Sequence, residues 1–193
     1  MAQSFVKIPR ERVGVLIGTN GSVKDYIQEK LPVKLDIDSE TGDVTITLKK
    51  EADDPSLLFK AKDIVLAIGR GFSPERAFKL LEEDYMLDII DLREIFGKSE
   101  SDLRRIKGRI IGRDGRTREI IEEMSGALVS VYGHTVAIIG DIEQVSIARE
   151  AINMLINGSE HSTVYKFLQR RRQDLKRRRF ELWEGSSLLP GSK

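Results

Sequence analysis

The 193-residue sequence contains no cysteine. That removes disulfide frameworks, thiol nucleophiles and cysteine-based zinc sites together. Its two histidines, His134 and His161, stand far apart and make no metal cluster. No apolar run approaches the ~20 residues that span a bilayer, so no membrane is expected among the partners. The start, "MAQSFVKIPRER", lacks the apolar stretch of a signal peptide, and a cytoplasmic protein is expected. There is no G-x-x-x-x-G-K-[ST] phosphate loop and no G-x-S-x-G elbow, so nucleotide hydrolysis and serine-hydrolase chemistry have no support. Carboxylates are plentiful but badly placed for acid–base work. Glu122 and Glu123 are adjacent on a helix and do not face each other. Asp88 and Asp91 fall on opposite faces of a strand. No catalytic residue, cofactor or metal is expected, and the chain reads as not an enzyme.

Charged residues are 33% of the chain, yet the net charge is only +1. The total hides a segregation. "DSETGD" and "LLEEDYMLDIIDL" are acidic, while 104–118 and 170–179 are strongly basic. A neutral protein can carry a basic face.

The periodicities lay out a regular order. "SFVKI" reads as a strand, "PRERVGVLIG" as a short helix stopped at Gly18, and "TNGSVKDYIQEKL" as a second helix. "VKLDID" and "DVTITL" alternate apolar and polar residues around "SETG", as a hairpin does. A longer helix runs from Pro55 to Gly69. Ser73 and Pro74 cap a helix over 73–84, and "YMLDIIDL" is a strand. Helices then follow over 99–112 and 116–126, two strands in "ALVSVYG" and "TVAIIG", and a capped helix over 141–158. Helical spacing continues through Val164, Leu168, Leu175 and Leu182.

The order strand, helix, glycine turn, helix, strand, strand, helix has occurred twice. Laying "VLIGTNGSVKDYI" on "RIIGRDGRTREII" pairs Gly18 with Gly112, Gly21 with Gly115, Leu16 and Ile17 with Ile110 and Ile111, and Lys24 with Arg118. One GxxG means little; two inside the same order of elements mean a duplicated unit. Such a joint aims backbone N–H groups at the start of the second helix, where they and the helix dipole favour an anion. Glycine removes the Cβ that would hold a phosphate away. Thr19 and Asn20, and Arg113 and Asp114, project between the glycines.

"IIGRDGRTREII" and "LIGTNGSVKDYI" resemble the GxxG core of KH domains, which hold about four single-stranded nucleotides. The resemblance implies an α+β fold of two tandem type I KH-like modules (β-α-α-β-β-α) plus connecting and C-terminal helices. The expected division is 1–72 for the first module, 73–84 for a connecting helix and 85–158 for the second module. A basic helix at 159–185 and a flexible tail at 186–193 follow. The chain is similar to archaeal relatives of the Dim-two (partner-of-Nob-one) and Krr proteins of small-subunit ribosome assembly. That likeness implies binding to single-stranded RNA, small-subunit rRNA near its 3′ end, by a non-enzymatic factor. It also implies protein partners among assembly or translation factors, with the RNA dimethyltransferase and the 3′-end endonuclease as the family's usual associates.

The two copies differ in charge. Arg104, Arg105, Lys107, Arg109, Arg113, Arg116 and Arg118 surround the second turn, with Asp114 the one acid between 104 and 118. Arg10, Arg12 and Lys24 around the first are diluted by Glu11 and Asp25. The second module is therefore expected to read RNA, and the first to bind RNA weakly or contact protein. With few aromatics nearby, Ile110, Ile111 and the strand Leu128, Val129 and Ser130 are expected to form an apolar platform; one residue of each pair, Leu16 with Ile17 and Ile110 with Ile111, should be core. The basic tail helix suits either RNA contact or pairing with acids. A KH-fold protein-interaction scaffold remains the alternative function.

Overall fold

The computed structural model describes residues 2–50, 52 and 54–187; most of the tail expected at 186–193 lies outside the described residues. Strands β1 (Gln3–Lys7), β2 (Val33–Ile37) and β3 (Asp43–Leu48) form an antiparallel sheet in the order β1-β3-β2. Alternation sets its faces: Val33, Leu35, Val44 and Ile46 are buried, while Lys34, Asp36 and Asp43 meet solvent. Helices α1 (Arg10–Ile17) and α2 (Ser22–Lys30) connect β1 to β2 through a tight turn at Thr19–Gly21. Helix α3 (Ser56–Gly69) closes the same face and buries Ala61, Ile64, Val65, Ala67 and Ile68 completely. A surface helix buries one stripe; α3 buries more because it has packing partners on two sides.

The helix expected over 73–84 is shorter. Ser73 does cap it, but α4 (Pro74–Ala77) tightens into a 3₁₀ turn at Phe78–Leu81 and the chain is extended at Glu82. Ala77 and Leu80 are drawn into the first core. The three acids Glu82, Glu83 and Asp84 also oppose helix extension, since carboxylates are unfavourable at a helix's carbonyl end.

The order then repeats with one addition. After β4 (Met86–Asp91), a short helix α5 (Leu92–Phe96), which the sequence did not suggest, is inserted. It is capped by the Asp91 carboxylate, which accepts from the Arg93 N–H at 2.9 Å. Helices α6 (Glu100–Ile111) and α7 (Arg116–Ser125) flank the second turn at Arg113–Gly115. Strands β5 (Leu128–Tyr132) and β6 (Thr135–Gly140) and helix α8 (Ile142–Ile156) complete the unit, with strand order β4-β6-β5. Registers correspond: Leu35 opposes Ile46 in one sheet, and Val129 opposes Ile138 in the other.

The two halves share a core. Every residue of β6 is buried. Val136 and Ile138 point with Val129 under α6, α7 and α8. Ala137 and Ile139 point the opposite way, into the core of the first half, joined by Leu87, Ile89 and Leu128. The second sheet is thus covered on one face by its own helices and on the other by α3 and the turn after α4. A sheet covered on both faces carries a continuous apolar run, as in "TVAIIG", rather than an alternation.

Polar contacts tie the halves together. Arg12 donates to the carbonyls of Ile68 at 2.8 Å and Phe72 at 2.7 Å, and its guanidinium lies 5.7 Å from the Tyr132 ring centre. Ser130 Oγ donates to the Arg70 carbonyl at 2.9 Å, and Arg76 pairs with Glu122. The Tyr132 hydroxyl donates to Glu11 at 2.7 Å, which lowers the Glu11 carboxyl from its ordinary range. Burial and then that carboxylate raise Tyr132.

Helix α9 (His161–Ser187) packs Val164 and Leu168 into the second core. Packing ends near Leu175. Leu182, which continues the helical spacing of Val164, Leu168 and Leu175, is 73% exposed, and Phe180 is 58% exposed.

Asp63 on α3 is half-buried, and desolvation raises its carboxyl, with the Lys62 charge opposing. An acid raised in the folded state weakens folding wherever it is ionised, and that penalty disappears as pH falls. Asp63→Asn should therefore raise the melting temperature at pH 7. The gain over the native chain should vanish below pH about 4 in a calorimetric series.

Candidate nucleic-acid interface

The two glycine turns have the same backbone. Gly18 has φ 75 and ψ 174, and Gly112 has φ 74 and ψ 176. Asn20 and Asp114 sit in left-handed conformation at φ 54 and φ 53, a region that suits their short polar side chains. Gly21 and Gly115 follow at φ 80 and φ 79. Thr19, Asn20, Arg113 and Asp114 are all exposed, and the N–H groups of α2 and α7 begin at the turn.

The paired glycines serve different purposes. A Cβ on Gly112 would come within 2.7 Å of the Thr117 N–H nitrogen, and one on Gly18 within 2.7 Å of that of Val23. These first glycines let the next helix pack. A Cβ on Gly115 would meet no described atom within 4 Å, and one on Gly21 only Asp25, at 3.5 Å. The second glycines satisfy the backbone alone and face open space.

The structure separates the expected platform residues. Leu16 and Ile110 are fully buried core, so Ile17 and Ile111, both half-exposed, are the members left at the surface. The strand part of the platform is corrected. Val129 is fully buried in the second core, and Leu128 packs on the first. Ser130 is 8% exposed and bonded to Arg70. Their side chains are closed to a ligand because the sheet is covered on both faces. What β5 leaves open is its backbone edge. There the Val129 N–H donates to Glu122 at 2.7 Å, as the Leu35 N–H donates to Gln28 at 2.8 Å in the first half. Val131 directs its N–H and C=O to the same edge, since these groups alternate along a strand.

Not every arginine faces that edge. Arg109 donates to the carbonyls of Leu155, at 3.3 Å, and Ser159, closing the end of α8. Arg12 does the same for α3, so both are structural. Arg118 is half-buried, one turn before Glu122 and hence on the flank of α7 that faces β5. Its Nε is buried with no hydrogen-bond partner among the described residues, an N–H awaiting an acceptor. Lys107 reaches from α6 to the Gly133 carbonyl at 2.9 Å and bridges the groove at the hairpin end. Arg113 and Arg116 are exposed at its mouth, Arg116 loosely paired with Glu119 at 3.7 Å.

The equivalent groove of the first module is acidic. Lys24, the counterpart of Arg118, shares an open recess with Asp36, Asp38 and Asp43. Backbone N–H groups of Glu40 and Thr41 hold Asp38 below its ordinary carboxylate range. The alternation of β2 is the signal that aims Asp36 outward beside Lys24.

A KH domain matches residues 3–66, and a eukaryotic-type (type I) KH domain matches residues 86–173. The sequence is 52% identical over 183 residues to a KH domain-containing protein of Methanocaldococcus jannaschii, covering 95% of this chain and 80% of that one. The chain belongs to the KH-domain family. Both of its KH modules recur in solved relatives. Dim2p of Pyrococcus horikoshii is 56% identical with TM-score 0.83, covering 88% of this chain and 99% of that one. A chain of an a/eIF2alpha–aDim2p–rRNA complex from the same organism is 57% identical with TM-score 0.84, covering 90% and 95%. The pre-rRNA-processing protein PNO1 of Phaeosphaeria nodorum is 29% identical over 84% of this chain, which spans 63% of that relative's length.

The glycine geometry predicts unequal stability losses in urea denaturation. Gly112→Ala should cost about 2–4 kcal/mol, from backbone strain plus overpacking on Thr117. Gly115→Ala should cost about 1–2 kcal/mol, from backbone strain alone.

Proposed function

We propose that the chain binds single-stranded small-subunit rRNA near its 3′ end, as a non-enzymatic ribosome-assembly factor acting in the cytoplasm. The observation that carries the reading is the second module's groove. It combines an open glycine turn, the Arg118 Nε–H with no partner among the described residues, the outer edge of β5 and the exposed cations Arg113 and Arg116. Phosphates rest on the N–H groups at Gly112–Gly115, and bases lie on Ile111 against the β5 edge. A solved relative bound in a complex with rRNA, and another named for pre-rRNA processing, support the choice of RNA.

The units divide the work, 85–158 reading RNA and 1–72 contacting protein. The first groove has the same turn but places Asp36, Asp38 and Asp43 beside Lys24, with Lys34 pairing Asp36 at 3.0 Å and Lys7 meeting Asp43 at 3.8 Å, a mixed-charge wall that favours phosphate less than the second groove does and suits a protein partner. The presence of a/eIF2alpha in the relative's complex makes a translation factor a reasonable class of partner.

Fluorescence anisotropy with an oligonucleotide matching the rRNA 3′ end, over a salt series, tests both statements. Native protein should bind with an affinity that falls steeply with salt. Gly115→Asp should weaken binding about tenfold or more, by placing a carboxylate where phosphate sits. Gly21→Asp, which introduces the same group at the matching backbone position, 3.5 Å from Asp25, should weaken it less than about threefold. Equal losses would refute the division of labour.

A further inference from the structure

A second recess opens on the flank of the glycine turn that faces away from β5. Arg105 and Gly108 line it from α6, Arg113 and Arg116 from the turn, and His161 and Tyr165 from α9. The groove described above does not use the last two residues.

The aromatic wall is fixed in place. The Tyr165 hydroxyl shares a 2.9 Å hydrogen bond with Thr117 Oγ1 at the foot of α7. His161 Nε2 lies 2.9 Å from the Arg109 carbonyl, which can only accept, so Nε2 carries the proton and Nδ1 remains for another group. The two rings meet edge-on with centres 6.1 Å apart. Aromatic faces held rigidly beside arginines are what a stacked nucleobase needs, and little ordering is left to occur on binding.

The cations are weakly committed. Arg105 is 58% exposed and touches Asp102 within its own helix at 3.3 Å, and Arg113 forms no ion pair among the described residues. Gly108 lies between groove and recess on the outer side of α6. Glycine weakens a helix interior, and a Cβ there would meet no described atom within 4 Å, so packing does not call for it. Its absence of a side chain leaves a bare ridge that a strand can cross. In the first module Val23 stands in place of Thr117 and offers no hydroxyl to hold such a ring.

We propose that this recess is an additional nucleotide subsite, completed by α9, that takes the next residue of the single-stranded RNA beyond the groove. The phosphate sits among Arg105, Arg113 and Arg116, and the base stacks on Tyr165. The inference rests on the second module being the RNA reader. It makes the start of α9 part of the binding surface, and the RNA footprint longer than the about four nucleotides of one KH groove.

Anisotropy with oligonucleotides of four and eight nucleotides, extended separately at the 5′ and 3′ ends, tests it on the full chain. Native protein should gain affinity with length at one end. Arg105→Gln, at an exposed position, should cut that gain about threefold and lower the salt slope for the longer oligonucleotide by about 0.7. Tyr165→Leu should cut the gain about tenfold. Because Tyr165 is half-buried, its melting temperature is measured alongside; Arg105→Gln decides the matter if Tyr165→Leu unfolds. A native length gain that both folded variants, or Arg105→Gln alone, retain in full would overturn the subsite. Binding that does not grow with length would also overturn it. Failure of native protein to bind even the longer oligonucleotide would instead overturn the RNA-reading assignment, and the subsite with it.

Discussion

The structure depends on a sheet that is dry on both sides. β6 faces its own helices through Val136 and Ile138, and faces the first module through Ala137 and Ile139. An antiparallel sheet normally keeps one face wet. Here α3 takes the place of solvent, so its apolar surface and that of the second sheet are buried in each other. The modules therefore have one fixed relation rather than a flexible tether. That burial also decides what β5 exposes. With both faces of the strand occupied, a backbone edge of N–H and C=O groups, rather than an apolar side-chain platform, is what it presents to the groove.

Two identical turns sit in unlike surroundings. The backbone angles of the glycine turns agree within a few degrees. The anion-receptive N–H groups are therefore present in both. What differs is the opposing wall: Asp36 on β2 and Asp38 just after it against Ser130 and Tyr132 on β5. Carboxylates beside a phosphate site cancel what the helix dipole provides. The same β5 residues that spare the second groove from acid are spent on joining the modules, through Arg70 and Glu11.

Arginine count overstated the second module's free charge in one place and missed its distribution elsewhere. Arg109 and Arg12 arise at different points of their helices, yet each closes the carbonyl end of its module's last helix. Along α9, Arg172 pairs with Glu123 at 3.4 Å and Arg178 with Glu143 at 3.3 Å. Such exposed pairs, to α7 and α8, add little stability; buried Val164 and Leu168 and the Thr117 and Arg109 hydrogen bonds set where His161 and Tyr165 stand.

Local pattern was enough for the elements and the duplication. Alternation in "VKLDID", the cap at Ser73 and the paired GxxG turns depend on neighbours in the chain, and the sequence carries those directly. The likeness to KH domains followed from the same residues. Other features needed distant partners. Which residue of each apolar pair is core depends on the helix's rotation against its sheet, and that placed Leu16 and Ile110 inside and Ile17 and Ile111 at the surface. The shortening of the helix after Ser73 came from Ala77 and Leu80 joining a core built mostly by residues far away in sequence. The uses of Arg12, Arg109, Ser130 and Tyr165 were likewise decided by tertiary packing, because a side chain's partner across the fold leaves no periodic trace in the chain that carries it.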